Sequence, residues 1–347
     1  MYDDSLTYPA RPLCRTREEF EQNILSEPVP CPAFYIYVSR LRDAVIFGGE
    51  DLMTKDDFLL TDRKPQNNKC YISGNIPEIG DDYALVKAPK HPEVIEKGIS
   101  LVKMWSGNYY HFSFESLARL QLVDEVEEFR SWPLIIDEGA LHNAWNVQLL
   151  EMVNTYGHPV ITVQHGGAYL VREMIYPSFL NWSDGRNSEY APRMHIMAAD
   201  YIREKIMSKH KHMRNYNNVY MARGDNKRLL NEDKVIDCLT RYGFEIIYPK
   251  VDNYTQILDV FMTADNILGV MGTNIVSQIL SKQGANIYVI SPFEFQHDTP
   301  GFAVTDASRR ALHFIAADVH TLGFVLNQTI FTVDIRKIEA LAKKLSH

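Results

Sequence analysis

The sequence predicts an α/β protein built from two domains. The chain has 347 residues, which is long for one domain and comfortable for two. Apolar β-rich runs alternate with segments of helical spacing between residues 109 and 167, and again between 217 and 292. This alternation is typical of parallel βαβ units. We expect an N-terminal domain over residues 1–200 and a C-terminal domain over 201–347.

Composition and charge exclude several classes of protein. Hydrophobic residues make up 46% of the chain and charged residues 23%, which are ordinary globular values. The net charge of −8 argues against a general nucleic-acid or membrane binder. Four scattered cysteines without a CxxC pair indicate reduced thiols. With no leader-like N-terminus and no apolar run near the length of a membrane span, we expect a cytoplasmic protein, with peripheral membrane association still open.

In the first domain, predicted short strands are followed by alternating predicted helices and buried strands. Short apolar runs broken by turns between residues 31 and 90 predict a small meander of strands. Helical spacing follows over 109–123 and 142–157, and buried strands are predicted at 133–137 and 159–167. The stretch from 91 to 110 gives mixed signals.

The second domain shows a regular β-α-β-α-β-α-β run, which is typical of one doubly wound half. Asn231 is a candidate N-cap and Gly243 a helix stop. The predicted strands are 217–224, 244–250, 266–272 and 285–292, and the predicted helices are 231–243, 255–264 and the segment ending at Gln283.

A basic stretch from Arg203 to Arg228 predicts half of a phosphate site. Arg223 directly follows the strand VYMA, and open α/β sheets bind ligands at the carboxyl ends of their strands. Lys227 and Arg228 lie on the same loop, where an arginine could grip a diphosphate through two hydrogen bonds. A solvated surface helix and linker is the alternative for the first part of this stretch.

The turn GVMGTN, residues 269–274, predicts the other half of that site. Here a strand ends in glycines and opens a helix, whose free N–H groups and dipole favour an anion. Gly272, Thr273 and Asn274 would contact the phosphate. A strand–glycine–helix turn alone is weak evidence, but both halves occur in one βαβ run.

Several familiar ligand motifs are absent from the sequence. It contains no GxGxxG after a strand, no P-loop and no Asp-x-Asp pair. A bound diphosphate would then be neutralised by arginine, lysine and a helix N-terminus instead of Mg²⁺. The segment HKH at 210–212 contains two histidines separated by one residue, a spacing that rarely binds a metal. We therefore predict neither a metal nor a cofactor.

The segment NYYHFSFESLARL, residues 108–120, offers acid–base chemistry. His111 and Glu115 are four residues apart, on one face of the predicted helix. Among phenylalanines Glu115 would be partly desolvated, which strengthens a carboxylate as a base. The alternative is a plain helical ion pair between Glu115 and Arg119. Tyr109 and Tyr110 could stack on sugar faces, and this face of the helix would then line a cleft.

A second polar cluster lies in QHGG, residues 164–167. His165 there ends a predicted strand and is followed by two glycines. It could contact a substrate in the same cleft or simply cap a turn.

Three segments together resemble glycosyltransferase family 61. They are GNYYHFSFESLARL (107–120), VYMARGDNKRLLNE (219–232) and the closing block from Ile257 to Pro292. The resemblance spans roughly residues 100 to 292. It implies a GT-B type fold with two Rossmann-like domains facing a cleft, an inverting mechanism, a nucleotide-sugar donor and no required metal. Met271 stands where the family usually has a histidine in its last turn.

The resemblance favours an inverting glycosyltransferase in polysaccharide or glycan biosynthesis. Its donor would be UDP-linked, with xylose or N-acetylglucosamine as examples, and its acceptor a glycan or lipid-linked hydroxyl. Glu115 would be the base, with His111 as second choice or orienting partner. Two alternatives stay open: a sugar-nucleotide epimerase on the same fold, and a non-catalytic nucleotide- or glycan-binding protein.

Overall fold

The computed structural model describes most of the chain and divides it into two units. The described residues are 11–12, 17–21, 28–29, 35–56, 58–61, 74–79, 83–87, 89–182, 193–224, 228–272, 277–278, 280–295, 311–323 and 328–346. Unit 1 comprises those within Ala33–Gly185 and His195–Lys209. Unit 2 comprises those within Tyr8–Pro32, Arg186–Met194 and His210–His347.

Unit 1 is built on a seven-stranded mixed sheet. Its strands are β1 (Val38–Phe47), β2 (Leu52–Lys55), β3 (Phe58–Thr61), β4 (Glu93–Ser100), β5 (Leu134–Asp137), β6 (Val160–Val163) and β7 (Ala168–Pro177). Their order in the sheet is β6-β5-β4-β7-β1-β2-β3. The first four are mutually parallel, whereas β1, β2 and β3 are each antiparallel to the preceding neighbour.

Two strands at the middle of this sheet have no clear signal in the sequence. β4 reads EVIEKGIS, and its charged residues interrupt the apolar run that would mark a buried strand. β7 reads AYLVREMIYP, with Arg172 and Glu173 at its centre. Their apolar members nevertheless pack in one buried cluster with β1 and β5. The predicted meander is therefore only the antiparallel part of a larger sheet.

The helices of unit 1 are α1 (Glu138–Leu141), α2 (Ala144–Val153) and α3 (Ile196–Lys209). The side chain of Asn143 caps α2 by accepting a hydrogen bond from the Trp145 N–H. The predicted regular helix over 109–123 is wrong in type. It forms a π-helical turn at His111–Ser116 followed by 3₁₀ turns at Leu117–Leu122 and Glu127–Phe129.

Unit 2 carries a six-stranded sheet whose predicted strands are all present. The strands are β8 (Asn218–Met221), β9 (Glu245–Ile247), β10 (Asn266–Val270), β11 (Asn286–Pro292), β12 (Ala311–Thr321) and β13 (Ile330–Val333). The order is β9-β8-β10-β11-β12-β13. The first five are parallel and β13 is antiparallel. Strand order reverses between β8 and β10, and doubly wound sheets bind ligands at the carboxyl ends of such a pair.

The helices of unit 2 are α4 (Glu232–Arg241), α5 (Tyr254–Thr263) and α6 (Ile335–Leu345). Asn231 does not cap α4 through its side chain. Its amide instead pairs with the backbone of Val333 in both directions, which ties the helix start to β13. Gly243 has φ of 78° just beyond α4, a conformation that glycine adopts without strain.

Shorter elements lie outside the two main sheets. They are the helix Arg17–Glu21, the 3₁₀ turns Val251–Asn253 and Phe293–Phe295, and the two-residue strands Arg11–Pro12, Pro28–Val29, Glu78–Ile79, Ala84–Leu85, Asn181–Trp182 and Arg193–Met194. In the described part of the chain, no helix is both long and apolar enough to span a bilayer. Cys238 is a free, buried thiol.

Candidate functional site

A π-helical turn places Glu115 inside unit 1. Phe112, Phe114 and Leu117 around it are all buried in the interior. Glu115 itself is only 4% exposed. A π-helical turn is rare and occurs frequently at functional sites. The aromatic residues of this segment therefore pack the turn, and its one carboxylate must be satisfied by polar neighbours.

Three polar side chains surround the Glu115 carboxylate. His111 Nδ1 lies 2.6 Å from Glu115 Oε2, and Lys103 Nζ lies 3.3 Å from the same oxygen. Asn181 donates a short hydrogen bond from Nδ2 to Oε1. Both oxygens thus face donors. The ammonium group of Lys103 and the imidazole of His111 therefore lie against the same carboxylate oxygen.

Lys103 is 1% exposed and bridges two carboxylates. Its Nζ donates to Asp51 Oδ2 over 2.9 Å and to the carbonyl of Met104 over 3.0 Å. Asp51 also accepts from the Met104 N–H at 2.7 Å. The ammonium group of Lys103 thus links the carboxylates of Asp51 and Glu115 in the interior of unit 1.

Asp137, the last residue of β5, fastens the loop that carries Lys103. Its carboxylate accepts from the N–H groups of Gly49 at 2.5 Å and Lys103 at 3.0 Å, and from Ser106 Oγ at 3.0 Å. Burial raises the pKa of Asp137, while the hydrogen bonds from Lys103, Gly49 and Ser106 oppose that rise. The side chain therefore fixes the backbone around Lys103.

The alternative pairing of Glu115 with Arg119 is not what the structure has. Arg119 is fully buried, donates from Nε to the carbonyl of Pro177 at 2.7 Å, and lies over the rings of Tyr176 and Phe179. Because the turn is π and then 3₁₀, the four-residue spacing no longer brings the two side chains together. Arg119 holds the core, and Glu115 keeps its contacts with His111 and Lys103.

The two tyrosines expected to stack on a sugar are packed inside unit 1. Tyr109 and Tyr110 are each 4% exposed. Tyr109 makes an edge contact with Trp145, and Tyr110 lies against Phe114. Neither presents an open ring face. The exposed aromatic ring beside His111 is Trp105, whose ring centroid lies 5.5 Å from that of the imidazole.

His165 lies in the turn between β6 and β7 and is exposed. A Cβ built on Gly49 would come within 2.1 Å of its Nδ1, so the imidazole packs directly against this glycine. The backbone of Gly49 in turn donates to Asp137. This contact supports the loop after β1. A role of His165 in contacting substrate stays a prediction.

In unit 2, two arginines converge where strand order reverses. Arg228 donates from Nη2 to the carbonyl of Met271 at 2.9 Å, and Arg223 Nη1 lies 3.5 Å from the same oxygen. The Arg223 N–H donates to Glu232 Oε1, which also accepts from the hydroxyl of Tyr220. The carboxyl ends of β8 and β10 thus bring two guanidinium groups against one turn.

Burial disfavours the charged form of both guanidinium groups. Burial lowers the pKa of Arg223, although Glu232 opposes this. Burial together with the positive charge of Arg223 lowers the pKa of Arg228 to about 10. Two buried like charges disfavour each other's ionised form. An anion bound beside them would relieve that repulsion, which is the electrostatic character of a phosphate site.

Gly272 allows the guanidinium groups of Arg223 and Arg228 to approach the turn closely. Its φ is 155°, and a Cβ at this position would lie 2.0 Å from Arg223 Nη1 and 3.1 Å from Arg228 Nη2. Any larger residue would displace the guanidinium groups. Met271, in the position where a histidine was expected, is a buried core residue whose carbonyl receives Arg228. The other predicted donor contacts, Lys227, Thr273 and Asn274, lie outside the described residues.

In the HKH segment, His210 and His212 both contact the buried carboxylate of Asp259. His210 Nε2 lies 2.7 Å and His212 Nδ1 3.1 Å from Asp259 Oδ1. Asp259 also accepts from the backbone N–H groups of Met213 and Arg214. Among the residues that the structure describes, no group of three or more His, Cys, Asp or Glu side chains is placed to hold a metal ion.

Sequence reasoning missed Lys103, Asp51, Asn181 and Glu232. Asn181 is 66 positions from Glu115, and Lys103 is 52 positions from Asp51. A lysine within the apolar run ISLVKMW was the one available signal, since lysine is seldom buried unless paired.

The family model described as Glycosyltransferase 61 matches residues 109–288 of the chain. The match begins at the π turn with His111 and Glu115 and includes both arginines and Gly272. It ends within β11. A search of curated proteins finds no match for this chain.

Proposed function

This chain belongs to glycosyltransferase family 61, and from that membership we propose that it transfers a sugar from a nucleotide-sugar donor to a glycan hydroxyl with inversion. The family implies glycosyltransferase activity in glycan biosynthesis. A UDP-linked donor, inversion and independence from metal are finer parts of the proposal. So are a GT-B type of fold and a cytoplasmic location.

The convergence of Arg223 and Arg228 on Met271 carries the donor side of this proposal. The diphosphate gains one negative charge when its bond to the sugar breaks, and that charge must be stabilised. Arg228 is 5% exposed, and burial together with the positive charge of Arg223 lowers its pKa. An anionic leaving group at this turn would convert a repulsive pair into two charge-assisted hydrogen-bond donors. The arginines would then do what Mg²⁺ does in metal-dependent transferases.

The carboxylate of Glu115 supports the assignment of a base. Lys103 and Asn181 hold it in place, and His111 contacts Oε2 directly. A base that takes the proton from an acceptor hydroxyl contributes about 10²–10⁴-fold to rate. His111 would either orient the carboxylate or pass the proton onward to solvent, because its ring is the more exposed of the two.

The proposed reaction is one in-line displacement. The acceptor oxygen attacks the anomeric carbon and forms the new glycosidic bond. The bond from that carbon to the phosphate oxygen breaks, and its electron pair leaves with the nucleoside diphosphate. The hydroxyl proton goes to Glu115. A single displacement inverts the anomeric configuration, because attack and departure occur on opposite faces of the carbon.

The test is a product analysis by proton NMR. The chain is incubated with UDP-N-acetylglucosamine or UDP-xylose, with simple alkyl glycosides as acceptors, in the presence and absence of EDTA. We expect release of UDP and an anomeric coupling constant of the β configuration, unchanged by EDTA. An epimeric nucleotide sugar formed without acceptor would instead indicate an epimerase. Loss of turnover in EDTA would contradict metal independence, and an α product would contradict inversion.

A further inference from the structure

Trp105 combines an exposed ring with a strained backbone. It has φ of 63°, in the left-handed region where a bulky residue is an outlier. The other described non-glycine residues with positive φ are aspartates, Asp43 and Asp56, which tolerate this conformation. Trp105 is 63% exposed, so burial of its ring does not compensate the strain.

The surrounding loop holds this conformation in place from several sides. The Met104 N–H donates a hydrogen bond to Asp51, and Ser106 Oγ donates one to Asp137. The carbonyl of Trp105 accepts from the Asn108 N–H at 2.9 Å. Strain of this kind persists only where neighbouring contacts over-determine the backbone, and it concentrates at ligand sites. The backbone at Trp105 is therefore held in this conformation by its neighbours, and the side chain leaves it in a defined direction.

The Trp105 ring lies close to two residues that contact the candidate base Glu115. Lys103 Nζ lies over the ring at 5.4 Å from its centroid, and the His111 ring lies 5.5 Å away at an interplanar angle of 49°. His111 in turn touches Glu115. A molecule resting on the open part of the indole would have its polar groups close to His111.

We propose that Trp105 is the platform on which the acceptor sugar stacks, an inference that rests on the proposed transfer. The face of an aromatic ring is electrostatically negative, and the C–H groups on one face of a pyranose are weakly positive. The ligand class is a pyranoside with several axial hydrogens on one side, such as a β-glucoside or β-galactoside. Its hydroxyls stay at the rim, where His111 and Glu115 select the one that reacts. A preformed platform loses little conformational entropy on binding.

The test uses variants that keep the backbone conformation. Trp105→Asn removes the ring and retains a residue that accepts positive φ, so the loop keeps its shape. Trp105→Phe keeps a ring. Phe58→Ala, at another exposed aromatic, on β3, is the matched control. Saturation-transfer NMR with methyl β-glucopyranoside and methyl β-galactopyranoside reads acceptor binding directly and needs no donor.

We expect the wild type, Trp105→Phe and Phe58→Ala to saturate the glycoside C–H signals, and Trp105→Asn to reduce them at least fivefold. In the transfer assay, Trp105→Asn should raise the acceptor KM at least tenfold, whereas Trp105→Phe and Phe58→Ala should not. Equal signals in wild type and Trp105→Asn, or no saturation by the wild type, would overturn the inference. Failure to consume any nucleotide sugar while glycosides still bind through Trp105 would instead overturn the proposed function.

Discussion

His111 Nδ1 lies 2.6 Å from Glu115 Oε2, across a single π-helical turn. The same carboxylate receives Lys103 and Asn181, so its three neighbours hold it in one orientation. The His111 side chain is the more exposed of the pair, at 18% against 5% for Glu115, so it is the member through which a proton could pass to solvent.

Glu115→Gln removes the proposed base and retains the size of the side chain. We expect the rate of transfer to fall by about 10²–10⁴-fold, with donor affinity unchanged, because the amide cannot accept the hydroxyl proton. Initial rates at saturating donor and acceptor measure this. Glu151→Gln, on the exposed side of α2, is the matched control and should leave the rate of transfer unchanged. Near wild-type turnover in Glu115→Gln would remove the assignment.

Lys103→Met removes the buried positive charge and leaves two carboxylates, Asp51 and Glu115, near each other. Glu115 then loses the donor that lies 3.3 Å from its Oε2, so its carboxylate is less firmly held. We expect the rate of transfer to fall while the Kd of the nucleotide sugar is unchanged, measured by initial rates and calorimetry. An equal loss of thermal stability and of donor affinity would mean that Lys103 acts through folding alone.

Gly272→Ala should weaken donor binding. The added Cβ would lie 2.0 Å from Arg223 Nη1, so the guanidinium must move away from the turn. We expect Kd for the nucleotide sugar to rise about tenfold, which is about 1.4 kcal/mol, measured by calorimetry. Gly139→Ala is the control, because a Cβ at Gly139 meets no atom within 4 Å. Equal affinity in Gly272→Ala and wild type would contradict the placement of the phosphate.

Arg228→Met should stabilise the free protein and abolish donor binding. Burial and Arg223 lower the pKa of Arg228 to about 10, which is below its value in the unfolded chain. The folded state therefore binds fewer protons than the unfolded state between pH 10 and the unfolded pKa. Ionised Arg228 thus costs stability at neutral pH, and removing it should raise the free energy of unfolding by about 1–3 kcal/mol. Chemical denaturation checks the sign; a loss of stability would contradict it.

The pH dependence of donor binding follows from the same pKa. In wild type, affinity should fall as pH rises through about 10, since Arg228 loses the charge that grips the diphosphate. Calorimetric titrations from pH 7 to 10.5 would show this fall, and Arg228→Lys should shift it. Affinity that stays constant over that range would argue against a direct contact between Arg228 and phosphate.

The sequence predicts unit 2 better than unit 1 for a physical reason. Strands β8, β10 and β11 are short runs of mostly apolar residues, because both faces of a parallel sheet are buried. Central strands β4 and β7 of unit 1 carry charged residues at solvent positions, so neither a buried-strand nor an alternating pattern stands out. The family resemblance was confirmed over residues 109–288, which includes part of unit 1 that local patterns described poorly.

The candidate site divides in the same way between local and long-range information. His111 with Glu115, and Arg223 with Arg228, are close in sequence, and their contacts could be anticipated. Lys103 and Asn181 reach Glu115, and Asp51 reaches Lys103, only through the fold. The lysine within ISLVKMW is the one signal for these contacts in the sequence. The π turn also escaped prediction, since its residues have ordinary helical spacing, and with it the alternative pairing of Glu115 with Arg119 does not form.

The most direct measurement is calorimetric titration of the chain with UDP, GDP, CMP and dTDP, and of Arg223→Ala with the nucleotide that binds. We predict that one nucleoside diphosphate binds the wild type in the presence of EDTA and that Arg223→Ala weakens it at least tenfold. Binding of none of them, or equal binding by wild type and Arg223→Ala, would contradict the phosphate site at Arg223, Arg228 and Gly272. The proposed transfer would then lose its donor.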